Sequence, residues 1–193
     1  MIKAIIFDFF GVVGTRGLAQ FRRDHIKGDE AKDKQIRRLK DLLNIGQIGY
    51  DDFIDGLARI SGIARDTVLS YTEEYQPNSK LLDYIKANLE SKYKLGIISN
   101  SGADWVEKII GEDKKLFDDI VLSYQTGHIK PDAEIYELSA KNLKVKPEEC
   151  VFIDDILKYC QGAEAVGMNA IWYKNFGQFK TELEKLLTPV ADN

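Results

Sequence analysis

The sequence predicts an α/β protein in which a parallel β-sheet lies between layers of helices and carries a small helical insertion. From about residue 77 onward, short apolar runs alternate with helical patterns, which is typical of successive βαβ units. A further apolar run, Ala4–Phe7, stands near the start of the chain and suits a strand buried on both faces. Between these two regions the chain shows helical patterns and no convincing strand.

The intervening residues, 15–78, are predicted to form a small helical bundle inserted directly after the first strand. Apolar side chains recur there at helical spacing in the segments 36–43, 53–60 and 68–75. Asp51 is a candidate N-cap for the second of these helices. The segment Arg22–Lys40 is rich in both charge signs, which usually indicates a solvated helix face. The bundle is either the helical half of a single core or a lid over the end of the sheet.

The remaining elements alternate between helix and strand. The predicted strands are 95–98, 120–122, 150–153 and 170–173, and the predicted helices are 81–89, 103–110, 135–143, 156–166 and 176–186. Because crossovers between parallel strands are right-handed, these elements build a three-layer α/β/α sandwich. We therefore predict a core domain made of residues 1–14 and 79–193, and a helical cap domain made of residues 15–78.

Composition and charge exclude several classes of protein. The 193 residues are 44% apolar and 30% charged, which suits a globular domain with an insertion. The net charge of −4 gives no strong basic field, so we expect no nucleic-acid partner. The chain has no apolar run long enough to span a bilayer, and because it begins on a strand pattern we expect no signal peptide. Cys150 and Cys160 form no metal-binding pattern, and as buried thiols they favour a reducing compartment, the cytoplasm.

Polar side chains follow the predicted strands, and in a parallel sheet all these strand ends lie along one edge, where ligands bind. They are Asp8, Ser99, Asn100, Asp154 and Asp155, with Lys130 in a later loop. Taken singly, each has an ordinary explanation as a turn, a helix cap or a surface lysine. Taken together, they indicate one site that holds carboxylates, a hydroxyl, an amide and an ammonium.

The chemistry of this set is coherent. Clustered carboxylates raise one another's pKa values unless a cation neutralises them. Mg²⁺ does so with oxygen ligands, and it also takes substrate phosphate. Lys130 could neutralise a phosphate and a nucleophile together, and Ser99 could hydrogen-bond phosphate oxygens. Asp8 could then attack phosphorus and form an aspartyl-phosphate.

Over essentially its whole length, the chain resembles the haloacid dehalogenase-like hydrolases, a superfamily made mostly of phosphatases. The resemblance rests on four motifs in the expected order: FDFFGVV (7–13), IISNSG (97–102), HIKPD (128–132) and FIDD (152–155). The helical insertion and the fragment QGAEAVGM resemble the subfamily with a small α-helical cap. Within it, the chain is most similar to the branch of bacterial sugar-phosphate phosphatases and the N-terminal domain of soluble epoxide hydrolase. The resemblance implies a Rossmann-like parallel sheet.

The resemblance also implies roles for individual residues. The expected catalytic residues are Asp8, as the nucleophile, and Lys130. The expected substrate ligands are Ser99, Asn100 and Lys130. The expected ligands of Mg²⁺ are Asp8, Asp154, Asp155 and the backbone carbonyl of Phe10.

The chain departs from the family pattern at two places. Phosphatases of the family usually carry an Asp two residues after the nucleophile as general acid and base, whereas this chain has Phe10, which cannot transfer a proton. Relatives often carry Asp and Asn at the positions of Lys158 and Tyr159. These replacements are expected to weaken the surroundings of the metal, and Lys158 is a potential competitor for the carboxylates.

The resulting hypothesis is a Mg²⁺-dependent phosphatase that acts on small phosphorylated metabolites and is slow because Phe10 replaces the general acid. One alternative is a non-catalytic binding or regulatory protein that kept the fold. A second is a metal-independent 2-haloacid dehalogenase, although the Asp154–Asp155 pair favours a site built for a cation. The physiological substrate and the oligomeric state are left open at this point, because the contacts that set them do not follow from periodicity.

Overall fold

The computed structural model describes residues 1–14, 17–73, 75–101 and 105–188, and within these ranges it contains five strands in one sheet. The strands are β1 (Ala4–Asp8), β2 (Lys94–Ser99), β3 (Asp119–Leu122), β4 (Cys150–Asp154) and β5 (Asn169–Trp172). They pair in parallel in the order β3-β2-β1-β4-β5, so β1 is central. The five predicted strands and the Rossmann-like three-layer fold are confirmed.

Helices cover both faces of this sheet. They are α5 (Ser79–Asn88), α6 (Val106–Ile110), α8 (Ala133–Asn142), α9 (Leu157–Ala165) and α10 (Phe176–Leu187), with a short α7 (Ser123–Thr126) directly after β3. Two 3₁₀ segments, Gly111–Leu116 and Pro147–Glu149, complete the core elements. Across the described ranges, no helix has the length and apolar content needed to cross a membrane.

The central strand β1 is buried on both faces because all its side chains except Asp8 are apolar, and successive side chains point to opposite sides. Ile5 and Phe7 join the apolar cluster formed with α5, α6 and α10. Ala4 and Ile6 join the cluster formed with α8 and α9. The sheet is therefore held from both sides, and the carboxyl end of β1 is a fixed platform.

The described residues between β1 and α5 form four helices, which we refer to as the cap helices. They are α1 (Gly17–His25), α2 (Glu30–Asn44), α3 (Tyr50–Ser61) and α4 (Arg65–Glu73). They enclose an apolar cluster of their own, which includes Phe21, Ile36, Ile54 and Val68. This separate cluster supports the division into core and cap, whose exact boundaries stay a prediction.

Local signals explain several of the helix boundaries, and some of our predictions about them are wrong. The Asp29 side chain accepts a hydrogen bond from the Lys32 N–H and starts α2, so the charged segment Arg22–Lys40 is split between two helices. The N-cap of α3 is Gly49 rather than Asp51, because the helix begins at Tyr50, two residues earlier than an Asp51 cap would require. The predicted start of the helix at 103 lies outside the described residues. The short α7 was not predicted.

One buried hydroxyl joins the cap helices to the core. Ser123, at the start of α7, is fully buried and donates a hydrogen bond to the backbone carbonyl of Asn44 at the end of α2, at 2.6 Å. The same hydroxyl accepts a hydrogen bond from the Ser101 N–H at 3.0 Å. Ser123 therefore connects the cap to the loop that follows β2, which carries candidate site residues.

We expect Ser123→Ala to lower the free energy of unfolding by about 1–3 kcal/mol. The substitution leaves a buried N–H and a buried carbonyl without their partner, and such groups carry their full desolvation penalty. Chemical denaturation monitored by circular dichroism measures this effect. The matched control is Ser70→Ala, since the exposed Ser70 hydroxyl bonds only within its own helix and its loss should cost about 0.5 kcal/mol or less. Equal effects of the two substitutions would contradict the importance of this contact.

Candidate active site

A buried ammonium joins two buried carboxylates at the carboxyl edge of the sheet. The Nζ of Lys130 donates to Asp8 Oδ1 at 2.5 Å, to Asp154 Oδ2 at 2.7 Å and to the backbone carbonyl of Ile98 at 3.1 Å. The side chain of Lys130 is completely inaccessible to solvent, as is that of Asp154. The structure therefore brings together three residues that are far apart in the sequence but that the motifs place in one site.

The sheet explains why these groups meet. In the register of β1 with β4, Phe7 pairs with Ile153, so Asp8 and Asp154 leave neighbouring strands at the same level. Lys130 comes from the loop between α7 and α8, where Asn100 holds its backbone. The Asn100 Nδ2 donates to the Lys130 carbonyl at 3.0 Å, and the Lys130 N–H donates to Asn100 Oδ1 at 2.8 Å. Asn100, which we predicted as a substrate ligand, thus also positions Lys130.

The loop after β1 is closed by backbone hydrogen bonds. The Gly14 N–H donates to the Phe9 carbonyl at 2.7 Å, and Gly11 has φ of 107°, a conformation that favours glycine. Asn78, the N-cap of α5, donates from its amide to the Val12 carbonyl at 2.8 Å. The chain thus leaves the core at this loop and returns from the cap beside it.

Burial and mutual repulsion control the protonation of the site. Desolvation, followed by the charge of Asp154, raises the pKa of Asp8 from 3.8 to about 7, even though Lys130 acts in the opposite direction. Burial lowers the pKa of Lys130, but the charges of Asp154 and Asp8 more than offset this, so its pKa is raised and it stays charged. One ammonium does not neutralise all the carboxylates of the site.

These carboxylates fit a divalent cation. Asp8, Asp154 and Asp155 each offer an oxygen, and the three oxygens lie within 4.8 Å of one another. Hard oxygen donors in such a cluster are the ligands that Mg²⁺ prefers. Next to them, at the end of β2, the hydroxyl of Ser99 is buried and has no hydrogen-bond partner in the part of the chain that the structure describes. A buried hydroxyl of this kind fits the predicted contact with a phosphate oxygen.

A cavity of about 120 Å³ separates this cluster from the cap helices. On the core side it is lined by Asp8, Phe10, Asn100 and Tyr159, among others. On the cap side the lining includes Arg22, Lys40, Tyr50 and Tyr75. The helical insertion therefore lies over the Asp8 end of the sheet, where the second of the two interpretations places it, and its action as a lid stays a prediction.

Phe10 occupies the position of the missing general acid and packs between the core and the lid. Its ring centroid lies 5.0 Å from that of Phe9 and 5.1 Å from that of Tyr75. Tyr75 in turn contacts Trp105 at 5.7 Å, and Trp105 contacts Tyr50 at 4.7 Å. A continuous row of aromatic rings thus runs from the loop after β1 to the cap. The role of the Phe10 carbonyl as a metal ligand stays a prediction.

Sequence reasoning missed several residues that line the cavity. Arg22 and Lys40 stand at the two ends of the charged segment, which we interpreted as solvated. The packing of α1 and α2 brings both residues to the cavity wall, while the Arg22 guanidinium pairs with Asp33 of α2. Lys158 is exposed and does not line the cavity, so its suggested competition for the carboxylates is not supported. Tyr159 was identified as a departure from the family pattern, but no role was assigned to it.

Comparisons with known proteins agree with this geometry. A family model described as haloacid dehalogenase-like hydrolase matches residues 2–167. A D-ribitol-5-phosphate phosphatase from Bacteroides thetaiotaomicron is 28% identical, over 97% of this chain and 99% of the relative. A phosphatase from Mycobacterium tuberculosis is 30% identical, over 92% of this chain and 89% of the relative. A solved enzyme from B. thetaiotaomicron, in complex with magnesium and inorganic phosphate, has a TM-score of 0.71 at 23% identity and covers 90% of this chain and 95% of its own.

We expect Asp8→Asn to stabilise the metal-free protein at pH 8. Since the pKa of Asp8 is about 7 in the folded protein and 3.8 ordinarily, the folded state binds more protons between these two values. The contribution of Asp8 to stability is therefore present at low pH and is lost as the pH rises towards 7. Thermal unfolding in EDTA should show a gain in Tm from the substitution at pH 8 and a smaller gain at pH 5.

The control for this measurement is Asp132→Asn, because Asp132 is exposed and its side chain does not cap α8. This variant should change Tm little at either pH. A Tm of Asp8→Asn below that of the wild type at pH 8 would show that the carboxylate is stabilising there, which is the opposite of what its raised pKa requires.

Proposed function

Because this chain belongs to the haloacid dehalogenase-like hydrolase family, we propose that it is a Mg²⁺-dependent phosphatase of small phosphorylated metabolites. The family resemblance seen in the four motifs is confirmed by the match over residues 2–167. The observation that carries the proposal is the buried contact of Lys130 with both Asp8 and Asp154, with Asp155 beside them. It combines a nucleophile, a fixed positive charge and a set of oxygen ligands in one cluster.

In the proposed reaction, the Asp8 carboxylate oxygen attacks phosphorus, and the bond from phosphorus to the ester oxygen breaks. The ester oxygen departs as an alkoxide and takes its proton from water, because Phe10 has none to donate. Water then attacks the aspartyl-phosphate, which releases inorganic phosphate and restores Asp8. Lys130 neutralises charge on Asp8 and on the phosphoryl oxygens, and Ser99 donates a hydrogen bond from its hydroxyl to one of those oxygens. Mg²⁺, held by Asp8, Asp154, Asp155 and the Phe10 carbonyl, would supply the remaining positive charge.

Of the alternatives, the non-catalytic binding protein is favoured by one specific observation. Phe10 cannot transfer a proton, and its ring is packed against Tyr75 from the cap side. A protein of that kind would bind a phosphorylated ligand without turning it over. The dehalogenase hypothesis has less support, because the third carboxylate, Asp155, completes a cation cluster that a metal-independent reaction does not require.

We further propose that the protein acts in the cytoplasm, on free metabolites, without a nucleic-acid or membrane partner. Cys150 and Cys160 are both free and buried, which suits a reducing compartment. The net charge of −4 offers no general attraction for phosphate polymers.

The direct test is phosphate release from a panel of phosphorylated metabolites, measured with Mg²⁺ and with EDTA. We expect activity with Mg²⁺ only, and a loss of roughly 10³-fold or more in Asp8→Asn, because an amide is a far weaker nucleophile than a carboxylate. Asp132→Asn, in the same motif as Lys130 but exposed, should retain full activity. If calorimetry shows that the wild type binds Mg²⁺ and phosphate, but no metabolite of the panel releases phosphate, the binding-protein alternative is correct. Halide release from haloacids would instead support the dehalogenase.

A second test concerns the missing general acid. With Phe10 in place, substrates with acidic leaving groups, such as aryl phosphates, should react best, and they should show a burst followed by a slow steady state. Phe10→Asp should restore part of general acid–base catalysis, whose full size is roughly 10²–10⁴ in rate. The gain, measured as kcat/KM, should be larger for alkyl than for aryl phosphates, since a poor leaving group needs the proton more.

The control is Phe10→Asn, which has nearly the same shape as the Asp variant but cannot transfer a proton. Both variants lose the ring contacts with Phe9 and Tyr75, so their stabilities are compared first by thermal unfolding. Equal rates for two well-folded variants, on alkyl and aryl esters alike, would show that the position does not limit turnover.

A further inference from the structure

The Lys130 ammonium uses all its hydrogen-bond donors. An ammonium has three N–H groups, and here the three acceptors are Asp8, Asp154 and the Ile98 carbonyl, at 2.5, 2.7 and 3.1 Å. All three acceptors lie at the strand ends. The remaining surface of this buried cation has no solvent and must be covered by other groups.

Two aromatic rings provide that cover. The Lys130 Nζ lies 5.1 Å from the ring centroid of Tyr159 and 5.3 Å from that of Phe152. Both distances are within the range of a cation–π contact, which is strongest where the cation is desolvated. Phe152 is a fully buried residue of the sheet, whereas Tyr159 stands in the first turn of α9 and lines the cavity together with Asp8. Tyr159 is therefore the ring of the pair that lies at the site.

Lys130 is also held at its backbone. The side chain of Asn100 pairs with the Lys130 backbone at both its N–H and its carbonyl. Tyr159 itself is held in place, because its carbonyl accepts a hydrogen bond from the Tyr136 hydroxyl at 2.8 Å. Lys130 is thus held at both ends, its ammonium by the ring of Tyr159 and its backbone by Asn100.

We propose that Tyr159 is a positioning residue that holds Lys130 against Asp8, its ring packing on the buried ammonium. The position is one at which the chain departs from the family pattern, with a phenol where relatives often carry an amide. The contact itself does not depend on catalysis. Its kinetic consequence rests on the proposed phosphatase function.

The contact is tested without catalysis by a double-mutant cycle in EDTA. Tyr159→Leu is made in the wild type and in Lys130→Met, and unfolding is followed in denaturant. We expect Tyr159→Leu to raise the unfolding equilibrium constant about 5- to 30-fold more in the wild type than in Lys130→Met, as a desolvated cation–π contact predicts. An equal effect in both backgrounds would overturn the proposal. If Lys130→Met does not fold, all four members of the Tyr159–Lys130 cycle are made in the Asp8→Asn background, which removes one of the charges that Lys130 neutralises.

The kinetic test compares Tyr159→Phe, which keeps the ring, with Tyr159→Leu, which does not. Per folded molecule, kcat should fall about 10-fold or more in the Leu variant and only a few-fold in the Phe variant, with the Kd of Mg²⁺ unchanged in calorimetry. The matched control is Tyr84→Leu, since Tyr84 is also half-buried and has Lys180 over its ring at 5.9 Å, but packs against α10 away from the site. Tyr84→Leu should lose stability without loss of kcat.

The outcomes separate the two proposals. An inactive wild type with a positive double-mutant cycle contradicts the phosphatase function and leaves the positioning role of Tyr159 in place. An active wild type in which Tyr159→Leu has the same kcat as Tyr159→Phe contradicts the positioning role.

Discussion

The buried ammonium of Lys130 is the interaction on which the candidate site depends. Removing a charge from water is expensive, and a buried ion pair persists only where its hydrogen bonds are complete. Here the three N–H groups have three acceptors, and Asp154 also accepts the Ile156 N–H with its second oxygen at 2.8 Å. The network joins β1, β2, β4 and the loop before α8. A shift of any of these elements would leave a buried charge without its partner.

The acidic groups of this network outnumber its single ammonium. Asp8, Asp154 and Asp155 lie close together, and Lys130 donates to the first two of them. Burial, followed by the charge of Asp154, raises the pKa of Asp8 to about 7, so the single ammonium does not offset these two effects. Such an arrangement suits a cation and a phosphate, which would complete it.

The cap helices and the core are connected by contacts of different chemistry. The aromatic row from Phe10 through Tyr75 and Trp105 to Tyr50 is apolar and tolerant of small shifts. The hydrogen bond from Ser123 to the Asn44 carbonyl is directional and buried. Because Ser123 also binds the Ser101 N–H, the position of the cap is linked to the loop that carries Asn100, and through Asn100 to the backbone of Lys130.

The sequence by itself determined the alternation of strands and helices, since apolar runs such as Ala4–Phe7 can be satisfied only by burial on both faces of a parallel sheet. It also determined that Asp8, Asp154 and Lys130 share one edge, because parallel strands end on the same side. Only the tertiary structure decided which groups complete the site. The placement of Arg22 and Lys40 at the cavity wall depends on how α1 and α2 pack, and the contact of the Tyr159 ring with Lys130 depends on how α9 faces the loop of Lys130. The local sequence pattern indicates whether a residue is buried. Which residue it contacts in the folded protein is determined by how segments that are distant in the sequence pack together.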